Sequence, residues 1–118
     1  MMDTEELGRK GEKLAARHLR RKGYRIAERN YRCPLGEVDL IALQNDDLCF
    51  VEVKTRRSDQ YESPEVNVTP DKRRRIRRIA RYYLERKGIR DINVRFDVVA
   101  IVLDDESSPQ IEHYENAF

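Results

Sequence analysis

The chain has 118 residues, enough for one domain and too few for two. Charged and hydrophobic residues each make up 39%, so a core can form beneath a richly charged surface, while the longest apolar run, residues 98–103, is too short to span a bilayer. The net charge of +2 is small but sorted: ten Lys/Arg face two acids over residues 9–32, nine face one over residues 72–87, and residues 97–118 hold six acids and no base.

Residues 4–22 read as an amphipathic helix. Leu7, Gly11, Leu14, Ala15, His18 and Leu19 recur at helical spacing, Lys22-Gly23 supplies a basic last turn and a stop, and Thr4 with Leu7 is no capping box. Residues 24–32 predict a strand, Pro34-Leu35-Gly36 a turn, and residues 37–43 and 48–55 a hairpin around Asn45-Asp46-Asp47. Both hairpin strands are apolar on both faces, which belongs in the middle of a layered α/β structure. Residues 57–68 read as an irregular polar loop containing Pro64. A second helix follows, with Thr69 as N-cap, Pro70 at its first position, Ile76, Ile79, Ala80, Tyr83 and Leu84 facing inward, and Gly88 as its stop. Residues 94–103 predict another strand, residues 104–109 a turn, and residues 110–114 a short edge strand. The expected order is α-β-β-β-α-β with a small last strand.

The run Met1-Met2-Asp3-Thr4-Glu5-Glu6 lacks the basic-then-apolar pattern of a secretory signal. No CxxC is present, and Cys33 and Cys49 with His18 and His113 cannot make a four-ligand structural zinc site without carboxylates. The expectation is a cytoplasmic protein with both thiols free and no membrane segment.

The informative cluster lies on the hairpin, in Gly36-Glu37-Val38-Asp39 and Glu52-Val53-Lys54. Side chains alternate along a strand, so Glu37, Asp39 and Ile41 share one face, as do Phe50, Glu52 and Lys54. A two-residue loop, Asn45-Asp46 or Asp46-Asp47, pairs odd positions with even ones. Either register puts Asp39, Glu52 and Lys54 on one side of the sheet, with Asp39 opposite Glu52 or Lys54 at about 5 Å between Cβ atoms. Two carboxylates that close repel by roughly 3 kcal/mol at an effective dielectric of about 20. A divalent cation compensates that repulsion, and hard oxygen ligands suit Mg²⁺ or Mn²⁺. Lys54 then serves as a further positive charge aimed at an oxyanion or an attacking water. The alternative is a structural carboxylate–lysine pair at the mouth of the sheet.

Glu12, at the edge of the first helix's apolar face, is placed either to complete a metal shell or to sit in solvent. Lys72 falls on the inward stripe at the positive end of its helix, to meet a phosphate or to snorkel outward. Asp97 is expected to pair with Arg95 or another local arginine. Arg73, Arg74, Arg75, Arg77, Arg78 and Arg81 crowd the second helix, and Arg17, Arg20, Arg21 and Lys22 the end of the first, with almost no acids at i±4. That pattern points to phosphate forks and a non-specific hold on nucleic acid, against the alternative of a solvated helix face.

Gly8-Arg9-x-Gly11-Glu12-x-x-Ala15, Arg29-Asn30-Tyr31-Arg32, Gly36-Glu37-Val38-Asp39-Leu40-Ile41, Phe50-Val51-Glu52-Val53-Lys54-Thr55-Arg56, Lys72-x-x-Arg75-Ile76 and Arg95-Phe96-Asp97-Val98 together resemble the YraN-like family. That family is a set of small bacterial proteins similar to the PD-(D/E)xK nuclease superfamily and to archaeal Holliday-junction resolvases. The resemblance spans residues 8 to about 103. It implies one nuclease-like domain over residues 1–118, with an αβββαβ restriction-endonuclease-like core and a central mixed sheet flanked by helices. Asp39, Glu52 and Lys54 fall at the signature positions, and Glu12 matches the acid that many members place near the metal. Tyr61-Glu62 stands where the family usually has Phe-Gly, and no proline precedes Asp39.

The expected function is a metal-dependent endonuclease or junction resolvase, with Asp39, Glu52 and Glu12 binding Mg²⁺ or Mn²⁺ and Lys54 stabilising the nucleophile or the phosphorane. Lys72, Arg73, Arg74, Arg77, Arg78, Arg81 and Arg56 would hold the backbone of DNA, branched or single-stranded. The alternative is a non-catalytic nucleic-acid-binding or adaptor module on a nuclease scaffold. Resolvases of similar fold act as dimers, so a homodimer is the assembly the resemblance allows.

Overall fold

In a computed structural model describing residues 3–58, 68–104 and 107–118, the chain begins with helix α1 (Thr4–Arg21). Its N-cap is Asp3, whose Oδ1 accepts from the Glu6 N–H at 2.8 Å. The cap thus lies one residue before Thr4. Four strands, β1 (Arg25–Cys33), β2 (Gly36–Gln44), β3 (Asp47–Arg57) and β4 (Asn93–Leu103), and a short β5 (Gln110–Tyr114) form one sheet in the order β1-β2-β3-β4-β5. All neighbours are antiparallel except β3 and β4, which run parallel because α2 (Pro70–Lys87) provides the crossover between them. The fold is α/β with a five-stranded mixed sheet and two helices, in the expected order α-β-β-β-α-β followed by the small strand.

Helix α2 starts and stops where its sequence signals stand. Thr69 Oγ1 accepts from the Lys72 N–H, Pro70 occupies the first turn, and Gly88 takes the left-handed conformation at φ 65°. The expected loop at residues 57–68, including Pro64 and Tyr61-Glu62, falls mostly outside the described residues.

The two faces of the sheet bury separate clusters. Ala15, Ala16 and Leu19 of α1 cover Leu40, Ala42, Cys49, Val51, Val99 and Ile101, whereas Ile76, Ile79, Ala80 and Tyr83 of α2 cover Ile41, Leu48, Phe50 and Val98. Strands β3 and β4 are therefore covered twice, as their apolar residues on both faces require. Gly11 is the point of closest approach of α1: a Cβ there would lie 1.8 Å from Thr55 Oγ1, so only glycine lets the helix lie this low over β3. Both cysteines are free thiols, as expected. Among the described residues no helix is long and apolar enough to cross a membrane.

Candidate active site

The hairpin register settles which residue faces Asp39. Gln44 pairs with Asp47 across a two-residue Asn45-Asp46 loop, and the ladder runs through Ile41–Phe50 to Leu40–Val51. The next pair would be Asp39 with Glu52. There the strands part. Val38 packs into the α2-side cluster and Leu40 into the α1-side cluster, although strict alternation would put both on one face. Asp39 sits at this break. Its Oδ2 accepts from the Val53 N–H at 2.7 Å, taking the place of a main-chain ladder partner. A carboxylate is thereby wedged into the fork of the sheet, a feature that alternation alone does not predict.

Glu52, 4% exposed, points from β3 toward α2. Its Oε2 meets Lys72 Nζ, projecting from the first turn of α2, at 2.9 Å. Asp39 and Glu52 lie close enough to influence each other's ionisation. Burial raises both carboxyls above the ordinary range. In Asp39 the rise is opposed by the Val53 N–H and by Lys72. In Glu52 the charge of Asp39 adds to burial, Lys72 opposes it, and the carboxyl is pushed up to about 7. The two carboxyls titrate as an interacting pair.

The acids open into a cleft of about 470 Å³, bounded by the β1–β2 turn at Cys33, Pro34, Leu35 and Gly36 and by Lys72 and Arg75 of α2. Gly36 forms part of the wall at φ 138°, and a Cβ there would come within 3.0 Å of the Arg75 side chain. Glu37 lines the rim, where its Oε2 takes Arg32 Nε at 3.0 Å.

The remaining predicted residues are distributed around this cleft. Glu12 stays at the edge of α1. In the orientation that satisfies both groups, the Asn30 amide nitrogen donates to its two oxygens at 2.8 and 3.1 Å. Burial raises its carboxyl, and the nearby Asp39 charge raises it further, against Arg29. Among the described residues no three Asp, Glu, His or Cys side chains converge closely enough to hold one metal ion. The chain presents a pair with a third acid alongside, which fits Mg²⁺ or Mn²⁺, since Mg²⁺ is commonly held by one or two carboxylates and keeps several waters. Lys54 lies two residues beyond Glu52 on β3, half-buried and engaged in contacts of its own, level with Ala100 of β4.

The arginine-rich helix divides by flank. Arg73 Nε donates to the Val68 carbonyl at 2.6 Å, Arg77 stacks 4.7 Å from the centroid of Phe96, and Arg74 pairs with Asp71 on its own helix. Arg74 and Arg77 nonetheless remain exposed. Arg78 and Arg81 are exposed, and Arg56 Nη1 donates to the Arg57 carbonyl at 3.2 Å. The α2 residues that line the two clefts are Lys72, Arg75, Tyr82, Arg86 and Lys87. Tyr82 and Arg86 went unmarked in the sequence; the available signal was their spacing from Lys72 and Arg75 along one helical flank.

Asp97 behaves as expected of a structural acid. It is fully buried on β4, and both its oxygens are taken, by Arg95, by His113 Nε2 at 2.7 Å and by the Asn116 N–H at 3.1 Å.

Comparison with known proteins finds a match over residues 11–101 to the model of an uncharacterised protein family, UPF0102. A UPF0102 protein of Geobacter sulfurreducens is 52% identical over 95% of this chain and 88% of its own length. One from Rhodococcus jostii is 53% identical over 95% of each chain, and one from Syntrophus aciditrophicus is 50% identical over 100% of this chain and 92% of the relative.

Proposed function

The chain belongs to the uncharacterised family UPF0102, the YraN-like proteins its motifs resemble, and from that premise we propose that it is a divalent-metal-dependent nuclease hydrolysing phosphodiester bonds in nucleic acid. One observation carries the reading. Asp39 and Glu52 line one cleft together with Lys72 and Arg75, Lys72 Nζ lies 2.9 Å from Glu52 Oε2, and burial raises both carboxyls. Two acids held side by side beneath cationic side chains are the arrangement that a divalent cation and a phosphate complete.

Asp39 and Glu52 would hold Mg²⁺ or Mn²⁺, with Glu12 adding negative potential from α1. Once bound, the ion supplies an acidified water and positive charge for a phosphate oxygen. The protein residues do the positioning. The Val53 N–H fixes the Asp39 carboxylate, Lys72 and Arg75 draw phosphate oxygens into the cleft, and Lys54 stabilises the nucleophile or the negative charge developing on the phosphorane oxygens. A junction resolvase is the narrower form of this activity that the superfamily resemblance supports.

The test is incubation of the purified protein with branched, flapped, single-stranded and duplex DNA and RNA in Mg²⁺ or Mn²⁺. Cleavage that falls at least about a hundredfold in Asp39→Ala and in Glu52→Ala is the expected result. Cleavage undiminished in those variants, or absent from every substrate, overturns it. The 2.9 Å contact between Lys72 and Glu52 favours a second reading, in which the ammonium is the permanent counter-ion and the domain binds nucleic acid without cutting it. That reading predicts salt-sensitive binding with no cleavage and no stabilisation by divalent ions.

A further inference from the structure

A second cleft, of about 380 Å³, adjoins the first, and the two share Cys33 and Pro34 as a common wall. Its other lining residues are two tyrosines, Tyr31 of β1 and Tyr82 of α2, and three cations, Arg32, Arg86 and Lys87. Among the described residues no carboxylate lines it. Arg86 lies 5.8 Å from the centroid of the Tyr82 ring and has no acidic partner among the described residues. Arg32 bonds Glu37, and the nearest acid to Lys87, Glu28, is 3.9 Å away. Tyr31 is braced edge-on against Tyr83, with ring centroids 5.0 Å apart, so its ring is held in place.

Lys72, Arg75, Arg78, Tyr82 and Arg86 follow one another at steps of three and four along one flank of α2. Lys72 and Tyr82 are therefore about 15 Å apart along the helix axis. A continuous cationic track leads from the paired acids to the two rings. Aromatic faces inside a cationic groove suit bases that have left their stack, because a paired base in a duplex offers no free face.

Resting on the nuclease reading above, we propose that this second cleft holds unpaired nucleotides of the substrate. A base stacks on Tyr82 beside Tyr31, and Arg86, Lys87 and Arg32 contact the phosphates. The preferred substrate is then nucleic acid with a single-stranded segment beside the bond that is cut.

The experiment measures fluorescence anisotropy of a labelled oligothymidylate and of a blunt duplex of equal length, with divalent ions chelated so that no cleavage is needed. The single strand is expected to bind more tightly than the duplex. Tyr82→Ala should weaken the single strand by roughly tenfold and leave the duplex nearly unchanged, whereas Tyr82→Phe keeps the ring and the affinity. Arg86→Glu, an exposed change that spares the core, should weaken the single strand and flatten its salt dependence. Equal affinity for the two probes, equal loss of both in Tyr82→Ala, or no measurable binding overturns the proposal. Because the assay is free of metal, equal binding sinks this subsite without touching the cleavage reading, and absence of cleavage leaves the binding difference standing.

Discussion

Two buried carboxylates, Glu52 and Asp97, lie on neighbouring strands with opposite electrostatic fates. In the parallel register Val51 faces Asp97 and Glu52 faces Val98, so the two acids are one step apart along the sheet and point to opposite faces. Burial pushes both carboxyls up. At Asp97, bonds from His113, Arg95 and the Asn116 N–H outweigh burial and hold the group below its usual range. The other ring nitrogen of His113 meets Lys22 Nζ at 2.7 Å. At Glu52 the neighbour is another acid, and a single ammonium does not cancel the sum of burial and repulsion. Burial is common to both. What separates a structural acid from a reactive one here is whether its partners are donors or a second acid.

The largest effect expected from this contrast is on stability. Asp97→Ala strips Arg95 of its buried partner and leaves it Asp47 and Glu115, the latter exposed; a loss of about 3 kcal/mol in urea unfolding is expected. A loss under about 1 kcal/mol would mean that Asp97 is no better compensated than Glu52. The opposite sign is expected for Glu52→Gln, which removes a charge the fold tolerates poorly: stability at pH 8 should rise by about 1–2 kcal/mol.

The pH profiles follow from the same two shifts. The Glu52 carboxyl is raised from its usual 4.5 to about 7, so its contribution is fully present below pH 4.5 and is lost as pH rises to about 7. Asp97 is lowered from 3.8, so its contribution is present above that value and is lost only as pH falls below it. Thermal melts across pH should show the loss between about pH 4.5 and 7 disappear in Glu52→Gln and persist in Asp97→Asn.

Much of the molecule was legible beforehand because its signals are local. Thr69, Pro70 and Gly88 bound α2, a two-residue loop fixed the parity that brings Asp39 to Glu52, and Asp97 found Arg95 two residues away. Asp3 as the cap of α1 was also a local signal, but Thr4 drew attention from it. The fork at Asp39 was not legible, since alternation presumes an unbroken ladder and the break depends on a side chain replacing a main-chain acceptor. Nor was the division of the arginines: whether Arg77 meets a phosphate or Phe96 depends on how β4 sits beneath α2. The Tyr31–Tyr82 cleft joins residues from β1 and α2 that only the packed sheet and helix bring together. Lys72, placed by α2, makes a contact with Glu52 that strand parity could not foresee.

The most direct trial of the paired acids is a thermal melt at pH 8 with and without Mn²⁺, in the unmodified protein and in Asp39→Asn and Glu52→Gln. At a hundred times its Kd a bound ion adds about 2.7 kcal/mol, a rise of several degrees for a chain of this size. The predicted result is that rise in the unmodified protein and its disappearance in both variants. No rise, or one that survives in both variants, would contradict the claim that Asp39 and Glu52 await a cation.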